Sequence, residues 1–297
     1  MKKLLWAMAG ALILASCERV EIVNGQDDAG DAPTQTENTK NKTAVVRFSV
    51  DQWDVVTEPM TTRATAAEAD MTDIWLLAYS ADTLAAQVHQ VSTDENFGSI
   101  TMNLKYGKYY FCCVSSRGAQ PVLDTKAKTI TWGTVRDTFW NIDSLNIRSN
   151  TSEATSKTIT LGRVVSRVRL ALTDVIPDDA SKITMKPSHW YYGVNYWNGS
   201  AVGDSDAEIG VTIPVSYVGR NDLSTAFYTV SPADDWSIDV TAALRGSGDT
   251  TLGSVQVSNI AMARNASVTL HGGIIGTTRG IGIDMTTDWT DGGTTNW

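Results

Sequence analysis

Residues 45–50 read Val45-Val46-Arg47-Phe48-Ser49-Val50. Val46, Phe48 and Val50 fall on one side of an extended chain, with Arg47 and Ser49 on the other. Successive strand side chains point to opposite faces, so this two-residue period specifies a strand with one buried face. The habit spreads outward. Ile100, Met102 and Leu104 alternate with Thr101 and Asn103, and Trp236, Ile238 and Val240 with Ser237 and Asp239. Val164, Val168, Leu170 and Leu172 share a face opposite Arg167 and Arg169. Residues 209–217 alternate longest, although Pro214 cannot donate to a ladder and marks that strand as an edge or a bulge. Residues 74–79 and 109–114 are apolar on both faces, as central strands are. Gly, Asn, Asp, Ser and Pro clusters separate roughly a dozen such runs. No long helical period occurs, and only residues 64–71 and 137–145 suit a short helix.

The fold class expected is all-β. A dozen strands exceed one sandwich, so two tandem antiparallel β-sandwich domains are expected. The polar stretch 148–157 sets the boundary, giving a 44–157 N-terminal sandwich and a 158–297 C-terminal one. Of the 297 residues, 42% are hydrophobic and 19% charged, enough to bury a core. The net charge of -9 without basic runs excludes nucleic acid as a partner, since phosphate binding depends on Lys and Arg.

The N-terminus is an address. Lys2 and Lys3 precede an apolar run over residues 4–15, too short to span a bilayer as a helix. Leu14-Ala15-Ser16-Cys17 matches the bacterial lipobox, so residues 1–17 read as a lipoprotein signal peptide with Cys17 as the lipidated residue. Two or three acyl chains on Cys17 anchor stably, where a single chain holds marginally. Residues 18–43 then form a flexible tether; the stretch 24–43 has no large apolar residue to offset its ordering entropy.

Chemistry is sparse. No nucleophile elbow, phosphate loop, dinucleotide fingerprint or zinc helix motif occurs, and the chain does not read as an enzyme. No cofactor and no metal site are expected from three cysteines and three histidines. Cys112 and Cys113 are adjacent on a strand and point to opposite faces, which excludes a disulfide between them. Asp204, Asp206 and Glu208 begin like a calcium loop but lack its late glutamate, so they read as a solvated turn. The run 189–197 holds five aromatic residues in nine. Exposed aromatic faces stack on sugar rings, making Trp190, Tyr192 and Trp197 candidate glycan contacts; the alternative is a hairpin held by aromatic pairs.

The order of features resembles the fimbrillin-type pilin superfamily of Gram-negative anaerobes. The resemblance rests on the lipobox, the spacer, residues 45–50, Thr61-Thr62-Arg63-Ala64, residues 74–79, Leu104-Lys105-Tyr106-Gly107, Leu161-Gly162-Arg163-Val164, Arg264-Asn265-Ala266 and Asp288-Trp289. It covers nearly all of residues 44–290. The resemblance implies two transthyretin-like sandwiches and an outer-membrane lipoprotein at the cell surface or in a fimbrium. It also implies partners by strand exchange: an arginine-specific protease removes the first strand, and a neighbouring subunit's strand fills the groove. Carried onto this chain, Val46, Phe48 and Val50 mark the groove and Arg63 the processing site, with Arg47 a poorer candidate. With no alternating tail beyond residues 281–285, an anchor, accessory or tip subunit is expected rather than a stalk. Host or bacterial surface ligands are the further expected partners. Three Asp-Ser/Thr tripeptides, beginning at Asp82, Asp143 and Asp249, resemble the O-glycosylation signal of such bacteria.

Overall fold

The computed structural model describes residues 21–22, 43–54, 71–148, 155–275 and 280–287. Among them there is no α-helix, and strands dominate. One large sheet builds the first half. It contains β1 (Glu21–Ile22), β2 (Thr43–Asp54), β3 (Asp73–Ser80), β4 (Thr83–Val91), β5 (Ser99–Lys105), β6 (Gly107–Ser116), β9 (Thr138–Ile147) and β10 (Thr155–Arg163). Its order is β1-β4-β3-β6-β9-β10-β2-β5. Ile74 and Leu76 of β3, Phe111 and Cys113 of β6, Val46 and Phe48 of β2, and Ile100 and Met102 of β5 share one core. The sheet therefore wraps around its own apolar face. Gln90 stitches the two rims together, donating to the Ser99 carbonyl at 2.9 Å and accepting from Gly98 N–H at 3.0 Å.

The second half is a two-layer sandwich. One layer holds β11 (Val165–Leu172), β16 (Ser224–Val230), β19 (Ala266–Gly273) and β20 (Gly280–Thr287), in the order β16-β11-β19-β20. The other holds β12 (Ala180–Pro187), β15 (Ile209–Thr212), β17 (Asp235–Gly246) and β18 (Thr251–Ala263), in the order β15-β12-β17-β18. Val168, Leu170, Met185, Val240, Leu244 and Val268 fill the space between.

A further sheet joins the halves. Strands β7 (Ala119–Asp124) and β8 (Thr129–Thr134) come from the first, and β13 (Tyr191–Asn195) and β14 (Ala201–Asp204) from the second, ordered β14-β13-β8-β7. Between this sheet and the outer face of β3 and β6 lies a third core, containing Leu77, Tyr79, Cys112, Val114, Ile130, Trp132, Val194 and Tyr196. That explains why residues 74–79 and 109–114 are apolar on both faces: each strand separates two cores. The β13–β14 turn presses on Trp140, which donates to the Tyr196 carbonyl at 2.8 Å. Gly199 makes this approach possible. Its φ is +72°, and a Cβ there would lie 2.7 Å from the Trp140 ring.

The all-β class stands, with several differences in detail. Twenty strands are present among the described residues rather than a dozen, because short polar ones such as β7 and β14 carry little periodicity. The sheets are not wholly antiparallel: β2–β10 and β11–β19 are parallel pairs. Parallel neighbours need long crossovers, and here whole sheets intervene between them. Strand β10 runs continuously through residues 157 and 158. Residues 138–145 form part of β9 rather than a helix, because the segment pairs with β6 from Thr138 to Ile147. The strand expected over 209–217 stops at Thr212. Pro214 then caps a 3-10 turn over Val215–Tyr217, while β15 is the edge strand that proline suggested. Residues 64–70, Arg63 and Cys17 lie outside the described residues.

Candidate functional site

Strand β2 is held from both sides. It pairs in parallel with β10, Val46 opposite Thr155, and antiparallel with β5, Phe48 opposite Ile100. Val46, Phe48 and Val50 are 0%, 1% and 1% exposed. The Phe48 and Phe111 rings sit 4.6 Å apart at 51°. The alternation is therefore realised as expected: Arg47 faces solvent and three apolar side chains enter the first core. Burying each of these side chains contributes about 1.5–3 kcal/mol. An unoccupied β2 position would present two open backbone edges, of β5 and β10, over an apolar trough lined by Ile100, Met102 and Leu161. Arg47 lies within this doubly paired backbone, a poor protease substrate.

Much of the aromatic run is turned inward. Trp190 is 1% exposed and belongs to the second-half core, so it offers no free face. Tyr196 is fully buried, and its hydroxyl lies 2.6 Å from that of Tyr79. Burial raises the pKa of both phenols; the shared hydrogen bond raises Tyr196 further and opposes the shift at Tyr79. Trp197 is half-buried, edge-on to Tyr79 and Tyr110, and the Lys128 ammonium sits 3.9 Å from its ring centroid. That cation covers the face a sugar would need. The hairpin reading, with aromatic pairs stabilising the sheet, fits this geometry. Tyr192 borders an opening, described below, together with an edge of Trp190.

Both cysteines are buried, on opposite faces, Cys112 in the third core and Cys113 in the first. Burial pushes the Cys112 thiol up to about 12, and Cys113 also upward. Neither is a nucleophile. The histidines sit apart, each beside an aspartate: His89 with Asp73 at 2.8 Å, His189 with Asp204 at 2.8 Å, His271 with Asp284 at 3.2 Å. Asp204 also accepts from Trp190 N–H, so it serves the β13 turn. Among the described residues no group of three or more His, Cys, Asp or Glu is placed to hold a metal. None of their helices is long and apolar enough to cross a membrane.

Two features escape a sequence reading. At the passage between the halves, Arg163 donates to both Asp137 carboxylate oxygens, at 2.7 and 2.8 Å, and to the Asn265 side chain at 3.0 Å. Arg163 and Asp137 are 6% and 3% exposed. Asn265 adopts φ +56° in the β18–β19 turn, and its N–H reaches the Val165 carbonyl. One guanidinium thus ties β10 to the residue that leads into β9 and to the far turn. The only signal was an arginine inside the apolar stretch 161–168. The second feature is a cavity of about 290 Å³ between the halves, lined by Arg136, Trp190, Tyr192, Ile209, Ala226 and Tyr228 among others.

No protein-family model matches the chain, and no curated protein matches it. Solved structures do. A candidate adhesin from Bacteroides ovatus superposes with a TM-score of 0.50 at 10% identity, covering 78% of this chain and 88% of its own. A structure described as candidate polysaccharide-binding proteins, from Bacteroides thetaiotaomicron, gives 0.50 at 10% identity, covering 77% and 91%. The fimbrial anchor protein Mfa2 from Porphyromonas gingivalis aligns more loosely, at 0.46 and 12% identity, covering 77% and 91%. The first two establish a shared fold. The chain shares the all-β architecture of these two Bacteroides structures.

Proposed function

We propose that the protein is a structural or anchor subunit of an adhesive fimbria, held to the outer membrane by lipid on Cys17 and joined to other subunits through the position of β2. The observation that carries this reading is the placement of that strand. It precedes β3 in the chain, yet it occupies an internal position with both ladders satisfied and three side chains buried. Removing such a strand creates a site that another strand of like pattern fits, with backbone hydrogen bonds for affinity and alternate pockets for register. The adhesin fold and the lipobox support the same reading. The work of the molecule lies in sheet edges rather than reactive side chains. Cleavage after Arg63 would free the strand; a retained strand and lipid would make the chain an anchor.

Two experiments test this. Cells fed labelled palmitate should mark the protein, and Cys17→Ser should abolish the label; equal labelling of both would remove the lipid anchor. Purified mature protein treated with an arginine-specific protease should yield a product beginning at Ala64. Cleavage within the folded body instead would contradict processing at this site.

A further inference from the structure

The cavity between the halves lies where two sheets of the second sandwich expose their edges. Strands β15 and β16 are the outermost strands of their respective layers, and both line it. The ladder phase shows which backbone groups point there. Leu172 N–H bonds to the Leu223 carbonyl and Ser231 N–H to the Val164 carbonyl. Bonded pairs alternate in an antiparallel ladder. Residues 223, 225, 227, 229 and 231 therefore face β11, and Ala226 directs its N–H and carbonyl outward. Likewise Ile213 N–H bonds to the Ser181 carbonyl, so Gly210 turns its backbone away from β12. Gly210 and Ala226, both with minimal side chains, thus present polar backbone to the opening.

The remaining walls include Tyr192, Tyr228, Ile209, Val211, Arg136 and the buried Trp190. Arg136 is half-buried, with its guanidinium 6.0 Å from the Tyr228 ring centroid. No carboxylate pairs with it among the described residues. In a chain with 33 acidic and 24 basic residues, a half-buried guanidinium without an acidic partner at the cavity wall leaves its charge available to an external anion.

From these features we infer that the cavity binds a carboxylate-bearing sugar residue. The carboxylate meets Arg136, hydroxyls meet the Gly210 and Ala226 backbone, and the ring's C–H face lies on Tyr192. The volume falls at the small end of ligand pockets, roughly 300–1,000 Å³, and suits a single ring. An extended peptide fits less well at β15, which has four residues and few outward groups to extend a ladder; at the longer β16 edge it is the competing occupant that the titration discriminates. The site is independent of β2, so its failure would leave the subunit reading untouched.

Calorimetric titration of the full chain with methyl glucuronide and the methyl glycoside of N-acetylneuraminic acid tests the inference, with methyl glucoside as neutral control. At least one acidic sugar should bind about tenfold or more tightly than the neutral one, the scale of a charge-assisted hydrogen bond. Arg136→Gln should erase that preference, Arg136→Lys should retain part of it, and Tyr192→Ala should weaken all binding. Circular dichroism confirms that the variants fold. Added NaCl should weaken the wild-type interaction, an independent readout needing no substitution. The inference fails if neither acidic sugar binds, if Arg136→Gln binds as the wild type does, or if only a glutamate-containing extended peptide binds in an Arg136-dependent way.

Discussion

Truncating Phe48 to alanine probes β2 most sharply. The ring is 1% exposed, packed at 4.6 Å against Phe111, with Ile100 and Lys157 directly across its two ladders. Phe→Ala in a core costs about 3–5 kcal/mol, depending on how far the surroundings collapse into the gap. Here collapse is restricted, because the backbone is pinned by hydrogen bonds to strands on both sides. The cost should lie in the upper half of that range. For a chain of this length, each kcal/mol lowers Tm by about 2–4 °C, so a fall of roughly 8–20 °C is expected. Arg47→Ala, one residue away on the solvent face, should stay within about 0.5 kcal/mol. Equilibrium urea unfolding followed by circular dichroism measures both. A Phe48→Ala loss under about 1 kcal/mol, or an equal loss from Arg47→Ala, would refute the packing argument.

Other perturbations follow from the same geometry. Asp137→Ala leaves the Arg163 charge buried without its bidentate partner and should destabilise by about 3–5 kcal/mol in urea unfolding, whereas replacing both with apolar residues of similar volume should cost much less. Tyr79→Phe or Tyr196→Phe alone strands one buried hydroxyl and should cost about 1–3 kcal/mol, while the double variant should approach wild type; a thermal-melt cycle reads the difference. A thiol at about 12 is almost wholly protonated at pH 8, so native Cys112 and Cys113 should resist iodoacetamide, and both should label after unfolding. Mass spectrometry counts the adducts, and rapid native labelling would contradict the burial.

The sequence was most informative where local pattern and burial coincide. Val46, Phe48 and Val50 alternate because one face meets the core, and Cys112 and Cys113 diverge because a strand must turn them apart. Residues 74–79 are apolar on both faces, as a strand between two apolar layers must be, although two strands of the second layer, β13 and β14, come from the far half of the chain. Pairing of that kind is invisible locally: nothing in residues 129–134 indicates that they meet residues 191–195. The aromatic run left a sugar platform and a paired hairpin both open for a related reason. The composition is the same for either, and long-range packing decides that Trp190 and Tyr196 point inward. The strand expected to run through residue 217 ended early because Pro214 breaks the ladder, while apolar alternation alone continues past it. The role of Arg163 is not legible locally, because Asp137 and Asn265 are distant from it in sequence. Arg136 carried no motif at all, since its surroundings are assembled from β8, β13, β15 and β16.

The claim on which the account turns is that β2 is a replaceable strand. A chain nicked between Arg63 and Ala64 can be incubated with a fluorescent peptide of residues 43–54, and capture followed by anisotropy. The nicked chain should exchange its strand for the peptide, the same peptide carrying Phe48→Ala should compete far more weakly, and the intact chain should capture neither. No uptake by the nicked chain, or equal uptake of the Phe48→Ala peptide, would contradict the account.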